Sequence, residues 1–182
     1  KKLNFSDRKI YNIINKLEKF FDLRLLKAGQ KINFYKNDKE KIKKIEINLN
    51  FDSILEITID ENITIKERKL EKNYIQESKE FTIFESLYSD GIKNDLPQNI
   101  LIKLIKLFSF DLDFQRDIRV NTKVSVSYDF NEIVDNNNIE YIDINYAMIN
   151  IDEKKLEYFK FLTNDGYYDY FNRDGKNVKK SI

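Results

Sequence analysis

Three acids and two arginines crowd the first half of residues 110–126 (FDLDFQRDIRVNTKVSV): Asp111, Asp113 and Asp117 with Arg116 and Arg119, set among Phe110, Leu112, Phe114 and Ile118. Acids this close together are the raw material of a hard-cation site, because such ions take several oxygen ligands at once. The spacing argues against one. Bulky Leu112 and Phe114 interrupt the acids, no glycine supplies a sharp turn, and no glutamate closes a calcium loop. A binding elbow is a second reading and a structural corner a third. The pattern favours the corner, with the acids capping backbone N–H groups or pairing with Arg116 and Arg119 while Phe110, Phe114 and Ile118 plug into a core.

Other chemistry is limited by what is missing. The sequence has no histidine and no cysteine, which removes most zinc sites, the Ser-His and Cys-His nucleophile pairs and every imidazole acid/base mechanism. Carboxylate, lysine or tyrosine chemistry remains, but a glycosidase pair is defined in space and cannot be picked by spacing from 31 acids. No catalytic, metal or cofactor-binding residue is therefore assigned. A run of aromatics, Tyr158, Phe159, Phe161, Tyr167, Tyr168, Tyr170 and Phe171, suits stacking on sugars or peptides. It equally suits a strand core, because aromatics fit pleated surfaces and bury large areas.

The elements that must position these residues follow from periodicity. Ser6 caps a helix running to about Phe20, with Ile10, Ile13, Ile14, Leu17 and Phe21 on one buried face. Gly29 turns the chain into a strand with Ile32 and Phe34 on one face, and three further strands carry Ile45, Ile47 and Leu49, then Leu55, Ile57 and Ile59, then Ile63 and Ile65. The last two are joined through Asp60, Glu61 and Asn62 as a hairpin. A boundary near Leu70 separates residues 1–70 from 71–182. The second part opens with a strand over about 74–82 and a short helix with Phe84, Leu87 and Tyr88, stopped at Gly91. Pro97 then starts a helix burying Ile100, Leu101, Leu104, Ile105 and Phe108. Beyond the corner, Val124, Val126, Tyr128 and Phe130 alternate, as do Ile142, Ile144, Tyr146 and Met148. Strands over about 155–162 and 167–171 follow, turned at Asp165-Gly166 and Asp174-Gly175. The expected class is α+β: two small domains, a helix-plus-strands unit and a larger one with two or three helices on a mainly antiparallel sheet.

Charge narrows the partners. With 32 basic against 31 acidic residues, a net charge of +1 and the lysines dispersed among acids, no clustered positive field exists for nucleic acid. The abundance of Lys, Ile and Asn with four Gly and one Pro reads as codon bias of an AT-rich genome. No apolar run of about 18 residues could cross a membrane. Since the sequence opens on Lys1 rather than methionine, an upstream segment is expected, and a membrane tether could lie there.

Three pieces in this order resemble one family: FDLRLLKAGQKINFY (residues 21–35), SFDLDFQRDIRVNTKVSVSYD (109–129) and GYYDYFNRDGKNVKKSI (166–182). They look like the region preceding the catalytic domain in lysostaphin-like (LytM-type) zinc metalloendopeptidases of Gram-negative bacteria, where a LysM-like domain and a second α+β domain come before a peptidase that cuts peptidoglycan cross-link peptides. The residues carrying the likeness are Gly29, Gln30, Asp113, Phe114, Arg116, Asp117, Arg119, Asp174 and Gly175, all in structural roles. The family's zinc ligands lie in H-x-x-x-D and H-x-H motifs, which a sequence without histidine cannot contain. The resemblance thus implies a LysM-like domain over 1–70, shortened at its start, and a second N-terminal domain over 71–182, with no cofactor here and zinc in a catalytic domain outside these residues.

Two functions of different class follow. The first is the non-catalytic regulatory or scaffold region of a periplasmic cell-wall endopeptidase, tethered to the inner membrane through an upstream segment, with its own catalytic domain as partner. The second is a free-standing module that binds peptidoglycan or a protein, with no peptidase attached.

Overall fold

The computed structural model describes residues 6–178 and is α+β, with three α-helices and two antiparallel sheets among those residues. The chain divides into two compact units. One comprises the residues up to Lys72 together with Ile133–Asn137; the other comprises Asn73–Glu132 and the residues from Asn138 on.

In the first unit, α1 (Asp7–Phe20) starts after Ser6, whose extended backbone occupies the N-cap position without a side-chain cap bond. Its buried line is narrower than the periodicity suggests. Ile13 and Leu17 are buried, with Phe21 packed beside them, whereas Ile10 and Ile14 are each 40% exposed. One helix on one sheet buries a single i, i+4 row, and these two isoleucines flank it. Lys16 at the helix side donates to the Ile63 carbonyl at 2.9 Å. A short 3-10 turn, Leu23–Leu25, leads to strands β1 (Ile32–Lys36), β2 (Ile42–Asn50), β3 (Ser53–Ile59) and β4 (Ile63–Lys69), paired as an antiparallel meander in chain order.

Register explains which face of this sheet is apolar. Ile45 stands opposite Ile57 and Ile57 opposite Ile65, and together with Ile47, Leu55 and Ile59 they meet α1. Ile32 and Phe34 share that face but sit on the edge strand, where they are 45% and 41% exposed. The opposite face is polar. Tyr35 donates to Glu46 at 2.5 Å, and Lys44 and Lys66 hold Glu46 and Glu56 at 2.7 and 3.0 Å. These pairs let two carboxylates directly opposite each other coexist, an arrangement that is otherwise destabilising.

The second unit has β5 (Lys72–Thr82), α2 (Leu87–Lys93), α3 (Gln98–Phe108), β6 (Lys123–Ile133), β7 (Ile139–Ile151), β8 (Lys154–Leu162) and β9 (Tyr168–Phe171), with the strands hydrogen-bonded in the order β5-β6-β7-β8-β9. α3 buries Ile100, Leu101, Leu104, Leu107 and Phe108, and Phe108 meets the Tyr158 ring at 4.6 Å. Val124, Val126, Tyr128, Phe130, Ile144, Ala147 and Ile149 complete this core.

Three expectations change here. α2 does not stop at Gly91; it runs through it to Lys93, and its start is set by Ser86 and by Asp90, whose carboxylate accepts from the backbone N–H of Phe84, Glu85 and Ser86. Phe84 lies before the helix and is 64% exposed. The alternation of Ile142, Ile144, Tyr146 and Met148 is also broken, because the β6–β7 register shifts between Ser127 and Tyr128 and again between Asp129 and Phe130. Each bulge adds one residue to β7, so Ile144 points into the core but so do Ala147 and Ile149, while Tyr146 and Met148 face away.

Candidate functional site

Residues 109–122 form the helix-to-strand corner between α3 and β6. Asp117 accepts from the Asp113 N–H at 2.8 Å and Asp113 from the Gln115 N–H at 3.0 Å, so both carboxylates do cap backbone donors. Asp111 accepts from the Tyr158 hydroxyl at 2.6 Å, which ties the corner to β8. Arg116 lies 3.5 Å from Asp113 in an exposed pair. The Arg119 guanidinium makes no ion pair among the described residues; its backbone N–H donates to Thr122 Oγ1 instead. The plug is different from that expected. Leu112 is buried, Phe114 and Ile118 pack partly against the core, and Phe110 is 47% exposed. Among the described residues no group of three acids could hold a metal ion.

The remaining signature residues sit in turns elsewhere. Gly29 has φ +88° in the first unit, the left-handed region that a β-carbon disfavours. Beside it, Gln30 ties the loop to β2 by accepting from the Lys27 N–H and donating to the Asn48 carbonyl at 3.0 Å. Asp174 and Gly175 form the turn after β9, where Asn172 Oδ1 accepts from the Asp174 N–H. Thus the nine residues fall at three turns and do not converge on one site.

The aromatic run divides between two faces. Tyr158 is buried against α3 and Tyr170 is mostly buried, its hydroxyl reaching Asp143 and the Ile144 carbonyl. Burial foremost, then the Asp143 charge, pushes the Tyr170 phenol well above its ordinary value. Among the described residues of this unit, no helix packs on the other face of the sheet. There Tyr146 meets Phe159 at 5.1 Å, Phe159 meets Phe161 at 6.4 Å and Phe161 meets Phe171 at 6.4 Å, a ridge crossing β7, β8 and β9. The ridge ends at the β8–β9 hairpin, whose turn is closed by the Thr163 N–H on the Tyr167 carbonyl. Phe161, Leu162, Tyr167 and Tyr168 are all more than half exposed there.

One carboxylate organises the foot of this ridge. Glu157 is 8% exposed and accepts from Tyr146 at 2.9 Å, while Lys155 lies 2.9 Å from one of its oxygens and Arg173 Nε 2.9 Å from the other. The Lys155 bond, foremost, holds the Glu157 carboxyl below the usual range. Burial and the bond to Glu157 push Tyr146 up to about 12. Between ridge and turn lies an open groove of about 580 Å³, lined by Phe159, Phe161, Leu162 and Phe171 with Asn164 and Arg173 among its polar residues. The sequence identified the aromatics but not Glu157 or Arg173. Their signal was the shared parity of Glu157, Phe159 and Phe161 on one strand, continued across the hairpin to Phe171 and Arg173.

A second cavity of about 420 Å³ lies at the C-terminal end of α3, lined mainly by Leu107, Phe110, Tyr170 and Val178, with Lys103, Lys106 and Asp143 at its polar end. Burial acts to raise the Asp143 pKa, but Lys160, the Ile144 N–H and Lys103 together outweigh it and hold the carboxyl low. These partners close the carboxylate into an internal network, so Asp143 has no free role.

No protein-family model matches the sequence, and no curated protein matches it. Solved structures do match its fold. A zinc containing peptidase from Vibrio cholerae superposes with a TM-score of 0.61 at 13% identity, over 99% of this chain and 58% of that one. Csd3 of Helicobacter pylori superposes in two crystal forms, orthorhombic and hexagonal, with TM-scores of 0.61 and 0.65 at 14% identity, over 88% and 93% of this chain and 47% and 48% of that one. The chain therefore spans about half the length of each of these structures. No helix among the described residues is long and apolar enough to cross a membrane.

Proposed function

We propose that this chain is a non-catalytic region of a peptidoglycan-cleaving zinc metalloendopeptidase, one that positions or occludes a catalytic domain lying outside these residues. One observation carries the reading. The fold aligns over 99% of the chain with part of a zinc containing peptidase, yet the sequence has no histidine or cysteine with which to build such a zinc centre. Among the nine residues of the family likeness, the side chains of Gln30, Asp113 and Asp117 cap backbone N–H groups at turns. Under this reading the first unit is LysM-like, the zinc belongs to the catalytic domain, and the protein works in the periplasm on the cell wall.

Two measurements test it in sequence. The gene is read beyond Ile182, where an H-x-x-x-D and a later H-x-H within the next domain are expected; a stop codon there would leave the free-standing binding module as the better account. The chain is then titrated into that purified peptidase domain during cross-link cleavage. Saturable inhibition supports occlusion, and saturable binding without inhibition supports positioning. Neither binding nor inhibition would defeat both.

A further inference from the structure

The groove beside the aromatic ridge has a cation built into its wall in an unusual state of readiness. Arg173 is ion-paired to Glu157, with its Nε 2.9 Å from a carboxylate oxygen. Its side chain is 73% exposed while that of Glu157 is 8% exposed, so the acid acts as the anchor and the guanidinium end faces solvent. Glu157 is also paired with Lys155, so the Lys155–Glu157–Arg173 cluster carries one net positive charge. An exposed guanidinium offers a planar fork of N–H donors matched to a carboxylate. Asp174 lines a neighbouring cavity and not this groove.

The apolar part of the groove narrows the ligand further. Phe159, Phe161, Leu162 and Phe171 line it, and its volume of about 580 Å³ falls within the range of small-ligand and peptide-segment sites. The rings are not a flat platform for sugar faces, since Phe159 and Phe161 are inclined by 36° and Phe161 and Phe171 by 59°. Such tilted rings form recesses for compact apolar side chains instead. Asn164 at the rim has both a donor and an acceptor to offer a peptide backbone.

We propose that this groove binds a peptide segment in which a free carboxylate stands beside small apolar side chains, the carboxylate on the Nη atoms of Arg173 and the side chains against Phe161 and Phe171. The inference names a partner for the region proposed above and rests on that reading for the peptide's source, the cross-link peptides of the wall.

The isotope-labelled chain is titrated by NMR with acetyl-Ala-Ala-Leu bearing a free C-terminal carboxylate, with the corresponding C-terminal amide, and with soluble peptides released from purified sacculi. Saturable shifts confined to residues 157–175 are expected, with the acid bound about tenfold or more tightly than the amide. Arg173→Gln should abolish that preference, and Phe161→Ala should weaken acid and amide alike. Both side chains are exposed, so unchanged spectra away from the groove verify that the variants fold. Equal affinity for acid and amide, a preference that survives R173Q, shifts outside the groove or no saturable shift would each overturn the site. If the synthetic acid binds and the sacculus peptides do not, the wall source is overturned. A stop codon after Ile182 alongside intact peptide binding would sink the peptidase reading and keep the groove; loss of the acid preference beside a functional downstream peptidase would do the reverse.

Discussion

Glu157 shows how much of a surface can depend on one side chain. It has 8% exposure, yet both of its oxygens have partners: Tyr146 donates to it, and Lys155 and Arg173 flank it. Removing its charge while keeping its shape separates burial from electrostatics at Tyr146. In Glu157→Gln the Tyr146 pKa, about 12 in the native protein, should fall toward the ordinary tyrosine value near about 10 but not reach it, because burial is the larger cause and remains. NMR titration of ring-labelled tyrosine reads this directly. An unchanged value would mean that burial alone sets it, and that Glu157 does not carry the charge that orders Arg173. Spacing put Glu157 on the face of Phe159 and Phe161 but did not show its partners. The aromatics announced themselves by type, but which of them faced water depended on register across three strands, and Arg173 gained its partner only when the hairpin brought positions 157 and 173 together.

At the scale of elements, periodicity located the strands and helices well and missed the places where a neighbour overrides it. Gly91 is the clearest case. A glycine after a short apolar run reads as a stop, yet here it is buried inside α2 because that helix crosses α3 closely, and a β-carbon added to it would stand 3.0 Å from Leu101 Cδ1. Leu101 is fully buried and cannot swing aside freely. Gly91→Ala should gain about 1 kcal/mol of helix propensity and lose about 1–3 kcal/mol to overpacking. The net expectation is a loss of about 1 kcal/mol, on those two magnitudes, seen as a lower urea midpoint with an unchanged slope. A stabilised variant would show that Leu101 has room the packing does not reveal. The bulges of β7 are a second override. Alternation was read straight through Ile142 to Met148, but two extra residues switch the inward parity before Ala147, and no residue type in that run marks the switch. The corner fared better: Asp113 and Asp117 cap backbone N–H groups as their spacing suggested, although Leu112, not Phe110, is the plug.

At the scale of the whole molecule, composition was the most informative guide, because what it lacks shapes the response to pH. With no histidine, no side chain has an ordinary pKa near neutrality. The shifted groups lie at the two ends. Asp52, held by Lys72, Asp90, held by backbone N–H groups with that of Glu85 foremost, and Glu157, held by Lys155, all have carboxyl pKa values below their ordinary ones. A depressed carboxylate contributes stability that is present above its unfolded value, about 4, and lost as pH falls through the folded value. Tyr128, Tyr158 and Tyr170 are shifted upward, with burial the largest cause in each. A phenol that keeps its proton longer when folded contributes no penalty below about 10 and costs stability as pH rises past that, because the unfolded chain then ionises first. The expected profile of urea midpoint against pH is a plateau from about 5 to about 9.5, falling on both sides, with no step near about 6.5. Tyr158→Phe should soften the alkaline limb while leaving the acid limb in place, since its hydroxyl is buried against Asp111 and its loss removes one group that resists ionisation. A step near neutrality in the native protein would contradict this account, as would an alkaline limb untouched by that substitution. Across that plateau the folded and unfolded chains bind the same number of protons, so stability does not depend on pH there.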